Sequence, residues 1–134
     1  MNKNPNINIE VLKKLLPICL CLGGVLGLVT AFGIFDNFLN GLWGILYIAG
    51  YLFCGGIYSE TVKNNSANDF LDVALNGAIL AFGFDIADDI VSGIIYTVQS
   101  SRFINTFGIG GLLEAAIVGA FGAIVWQYYL TNKK

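Results

Sequence analysis

Four carboxylates and one further aspartate stand in or beside sequence that is otherwise almost free of charge. Asp85, Asp88 and Asp89 fall at i, i+3 and i+4, a spacing that places them on one face of a helix. Glu114 sits inside the run GGLLEAAIVG, residues 110–119, where every neighbour is apolar or small. Asp36 marks the break between two uncharged stretches and is expected at the same end of the protein as the aspartate trio. An ionised carboxylate in hydrocarbon costs several kcal/mol, so it faces a partner, a cation or water. Three like charges on one face repel unless one is protonated, a cation binds or the site is hydrated. Two readings follow. In the first, the aspartates mark a helix end among lipid headgroups, and Glu114 hydrogen-bonds Asn76, Thr30 or Tyr47, or pairs with Arg102. In the second, Glu114, Asp85, Asp88, Asp89 and Asp36 form a path for a proton or a hard cation such as Ca²⁺ or Mg²⁺, which oxygen ligands suit.

Other chemistry is missing. The chain has no histidine, which removes His-ligated haem, zinc and copper and any Ser-His or Cys-His nucleophile. Cys19, Cys21 and Cys54 form no CxxC pair and read as small packing residues. There is no phosphate-binding loop and no basic run of the kind that binds nucleic acid. The expectation is a non-enzymatic protein without catalytic residues, metal or cofactor.

The stretch around Glu114 is locally similar to the carboxylate helix of rotary-ATPase proteolipid subunits, in which a glutamate among small residues carries the ion. That resemblance implies Glu114 as an ion carrier and a protein of duplicated hairpins. It covers only that stretch. The chain departs from the pattern at Gly44, where a first hairpin would place its own glutamate, and in the partial glycine repeat of its first helix.

These side chains are carried by an apolar scaffold. Of 134 residues 56% are hydrophobic and 12% charged, against about 45–50% and about 25% in soluble domains. Mean hydropathy is +0.72. A soluble domain of this length could not bury so much apolar surface. Residues 15–35 and 37–59 are uncharged runs of 21 and 23 residues, each long enough for a hydrocarbon core of roughly 30 Å. The first run continues past Val29-Thr30-Ala31, which favours a span over a cleaved leader. The pattern predicts an all-α, four-helix transmembrane bundle in one domain, with helices near 14–35, 40–59, 68–89 and 106–130. Residues 90–105 form an outer connection, interfacial or re-entrant. A single helix running from 69 to 99 is the competing reading.

Orientation follows from the lysines. Lys3, Lys13, Lys14, Lys63, Lys133 and Lys134 fall on one side of this topology and Arg102 on the other, giving N-in, C-in. Trp43 belongs to the outer interface, and Trp126, Tyr128 and Tyr129 to the inner one. Asn64-Asn65-Ser66 matches a glycosylation acceptor but falls on the cytoplasmic side. The inner membrane of a prokaryote is the expected setting. Two short matches, Gly27 with Gly77 and the Ala-Phe-Gly of 31–33 with that of 81–83, suggest duplicated hairpins.

Seventeen glycines are concentrated where helices would touch. Gly23, Gly27 and Ala31 are four apart on the first helix, Gly77 and Ala81 on the third, and Gly111, Ala115, Gly119 and Ala123 on the fourth. Small residues at that spacing let backbones approach closely in lipid. The ladders serve contacts within the chain or, especially on the fourth helix, contacts with another subunit. Together these features predict a structural or accessory subunit of a homo- or hetero-oligomeric membrane assembly, with the lipid bilayer as its medium. The alternative is a proton or cation transport subunit.

Overall fold

The computed structural model describes residues 6–33, 42–63 and 69–133. They form four helices, α1 (Ile9–Ala31), α2 (Trp43–Val62), α3 (Phe70–Ser100) and α4 (Ile109–Asn132). Helices α1, α2 and α4 are each long and apolar enough to cross a membrane. Asp36 and the first hairpin turn, the Asn64-Asn65-Ser66 acceptor, Lys3 and Lys134 lie outside the described residues.

Local sequence sets the helix ends. The side chain of Asn8 accepts a hydrogen bond from the Val11 amide at 3.2 Å, capping one of the amides that the first turn leaves unpaired. Pro17 removes a backbone donor inside α1, a loss that membrane helices tolerate. Beyond Phe32, Gly33 adopts a left-handed φ of 62°, which costs glycine little, and its amide closes on the Thr30 carbonyl at 3.0 Å.

The third helix corrects the expected layout. Rather than breaking after Asp89, it continues to Ser100, 31 residues in all from Phe70. At 1.5 Å per residue it is about 46 Å long, well beyond a hydrocarbon core of roughly 30 Å. Residues 90–100 are therefore helix, and the connection shrinks to 101–108. The reason is local: 90–99 contains no proline and a single glycine, and nothing in it stops a helix. Ser101, with φ 54°, ends it. The connection then folds back along the last turns of α3, where the Ile104 amide donates to Thr97 Oγ1 at 3.1 Å and the Thr106 hydroxyl to the Asp89 carbonyl.

Neighbouring contacts fix the directions of the helices. Asn8 meets Asn76, Gly23 meets Phe84 and Gly27 meets Asp88, so α1 and α3 run parallel. Gly55 meets Gly119, and Glu60 meets Trp126, so α2 and α4 also run parallel. Gly77 lies against Ala123 and Gly111 against Asp85, so α3 opposes α4. Helix α3 is central: it packs on all three others, while α1 and α2 touch little.

The packing leaves no room for side chains at the small residues. A Cβ on Gly27 would lie 2.6 Å from the Asp88 carbonyl oxygen, and one on Gly77 2.6 Å from Ala123 Cβ. One on Gly122 would lie 2.8 Å from the Leu52 carbonyl oxygen. Gly119 is enclosed by Ala81 and Gly77, and Gly23 by the backbone of Phe84. Ala31, Ala81, Ala115 and Ala123 are buried. Between them, Cys19, Cys54, Tyr58, Val73 and Leu80 are fully enclosed.

Candidate functional site

Three helices bring the carboxylates together. Helix α3 presents Asp85 and Asp88, each only 6% exposed, well before its C-terminal end. The expectation that the trio marks the end of the third helix is corrected here: the helix runs on to Ser100, and Asp85 and Asp88 point inward. From α2, Tyr51 donates its hydroxyl to Asp85, and Tyr47 donates to Asp88, 3.0 and 3.1 Å from the two carboxylate oxygens. Tyr47 and Tyr51 are four apart and their partners Asp88 and Asp85 three apart, each close to one helical turn. The ring of Tyr51 is held edge-on against Phe84, 5.7 Å between centroids.

Helix α4 closes the other side. Gly111 faces Asp85, where a Cβ would lie 3.4 Å from Oδ2. One turn deeper, Glu114 reaches the rim from an exposed position. Asp89 is half-buried, and Thr106 of the folded-back connection completes the wall. The open cleft measures about 360 Å³ and is also lined by Gly44, Ile48 and Gly108. Asp85, Asp88, Asp89 and Glu114 thus share one cleft.

None of the partners considered for Glu114 is engaged with it. Asn76 is fully buried at the opposite end of α3, accepting from the Asn8 amide at 2.9 Å and donating to the Asn6 carbonyl at 3.0 Å. Thr30 bonds back to the Leu26 carbonyl at 3.0 Å, and Tyr47 is committed to Asp88. Arg102 makes no ion pair with Glu114. Among the described residues the ion pair found is Lys63 with Glu60, at the far end of α2, and no basic side chain pairs with the cleft carboxylates.

That lack decides the chemistry. Withdrawing a carboxylate from water costs several kcal/mol. A hydrogen bond to a charged group returns about 1.5–3 kcal/mol. One phenol per aspartate therefore leaves a deficit, doubled because Asp85 and Asp88 are near neighbours of like charge. Positive charge is the missing element. Among the described residues no three carboxylates or thiols converge closely enough to hold a metal ion. A proton needs no such convergence.

The two tyrosines as donors to the aspartates were not read from the sequence; their four-residue spacing on α2, matching the Asp85–Asp88 turn, is the signal that could have found them. Cys19 of α1 and Cys54 of α2 are also brought together, as neighbouring buried free thiols. Comparison with known proteins adds nothing to this picture: no family model, no curated protein and no solved structure matches the chain.

Proposed function

We propose that this is a small, non-enzymatic integral membrane protein whose acid-lined cleft takes up protons. The observation that carries the reading is the pair of buried aspartates, Asp85 and Asp88, bonded to tyrosine hydroxyls and without a basic partner among the described residues. Helix α3 is flanked by three apolar spans, which supports a fourth crossing through the bilayer. Placing the lysine-bearing ends on the cytoplasmic side, in a prokaryotic inner membrane, opens the cleft outward.

A static open channel is not what the packing supports. From the Asp85 level to the Asn76 level is about 13 Å along α3 at 1.5 Å per residue. Cys19, Cys54, Leu80, Ala81 and Phe84 fill that layer. Passage beyond the cleft therefore requires this packed layer to rearrange.

The accessory-subunit reading stands second, favoured by Glu114: an exposed carboxylate flanked by exposed Leu113 and Ile117 invites a covering helix from another protein. It no longer rests on the small-residue ladders, which are enclosed within the chain. Reconstituted vesicles separate the two. Gradient-driven proton entry that falls to the empty-vesicle rate in Asp88→Asn and Glu114→Gln supports uptake through the cleft. No entry with wild-type protein, together with a defined complex on gentle extraction, supports the subunit.

A further inference from the structure

A second hollow lies on the other side of the molecule, between α2 and α4. It has a volume of about 630 Å³ and an almost wholly apolar lining that includes Leu52, Phe53, Gly56, Phe121 and Val125. Glu60 and Trp126 close one end, joined by a hydrogen bond of 3.0 Å from the indole Nε1 to Glu60 Oε2. Polar contacts continue outward from there. Lys63 pairs with Glu60, Trp126 leans on Tyr129, and Lys133 Nζ lies 5.2 Å from the Tyr129 ring centroid.

We propose that this groove seats one anionic phospholipid, with an acyl chain in the hollow and the headgroup phosphate at Lys63 and Lys133. Three observations select that occupant. The groove extends along α2 from Ala49 to Glu60, about 16 Å at 1.5 Å per residue, or half of a hydrocarbon core of roughly 30 Å. One leaflet's depth fits an acyl chain, whereas a partner helix needs the full thickness. An indole and a tyrosine mark the polar end, the pairing found at the membrane–water interface. Two lysines against the single Glu60 leave that rim positive, which suits an anionic headgroup over a zwitterionic one.

Gly56 gives the seat its depth. A Cβ there would meet only the Trp126 ring, at 3.8 Å, so a larger side chain fills the groove without moving backbone. The test uses full-length protein carrying Trp43→Phe, which leaves Trp126 as the sole tryptophan. Its fluorescence is measured in mixed vesicles in which either phosphatidylglycerol or phosphatidylcholine carries brominated chains. About one net charge near the surface corresponds to roughly a fivefold preference, so brominated phosphatidylglycerol is expected to quench about fivefold more effectively at equal mole fraction. Lys63→Gln with Lys133→Gln should equalise the two lipids. Gly56→Leu should weaken quenching by both. Equal quenching in the unmodified rim, no quenching by either lipid (as a covering protein helix would give), or a Gly56→Leu variant that quenches like its parent would each overturn the proposal.

Discussion

Asp88 is the residue on which the chemistry turns, and its surroundings were only half legible. The i, i+3, i+4 spacing placed the three aspartates on one face, and they do share a cleft. Which way that face pointed depended on Tyr47 and Tyr51, some forty positions upstream in sequence, and no local pattern reports such a pairing. The small residues were legible as types but not as partners. Their spacing signalled close approach, whereas the identity of the approached backbone is a property of the fold. Gly55 shows the difference: it belongs to none of the four-residue ladders, yet a Cβ there would lie 2.7 Å from the Ala123 amide nitrogen and closer still to the Gly119 carbonyl. Overpacking of this kind costs about 1–3 kcal/mol or more. Gly55→Ala is therefore expected to lower the thermal midpoint in detergent markedly. Gly44→Ala, where nothing lies within 4 Å, should leave the midpoint unchanged or raise it through helix propensity. Equal midpoints for the two variants would contradict the packing described here.

At the scale of elements, two uncharged runs located α1 and α2, and a stretch charged only at Glu114 located α4, each to within five residues, because hydrocarbon thickness imposes a length that composition reveals. Helix α3 was the exception. Its charge trio reads as an exit from the bilayer, but the exit is only apparent when the charges turn into the protein. Residues 90–100 then simply continue the helix. The N-terminal segment was likewise opaque: Asn6 and Asn8 bond Asp72 and Asn76, partners about seventy positions away. Helices α1 and α2 make few contacts, and Cys19 and Cys54 lie between them as neighbouring buried thiols. Mild oxidation of a Cys21→Ala variant is expected to form that disulfide within one chain, both thiols disappearing together with a mass loss of two hydrogens. Two alkylatable thiols after oxidation, or covalent dimers, would show that α1 does not lie against α2 at this level.

The whole molecule is two polar ends separated by an apolar layer, with α3 passing through all three. One end gathers asparagines and the aromatic-basic rim; the other gathers carboxylates without lysine or arginine partners. That asymmetry, rather than any single motif, supports proton uptake from one side. The most direct measurement is the infrared carboxyl spectrum of the protein in lipid vesicles at neutral pH. Wild-type protein should show a protonated-carboxyl C=O band that shifts in D₂O and disappears in the Asp88→Asn variant. A wild-type spectrum without that band, or one indistinguishable from that of Asp88→Asn, would mean that the cleft holds no proton at Asp88 and would contradict the proposed function.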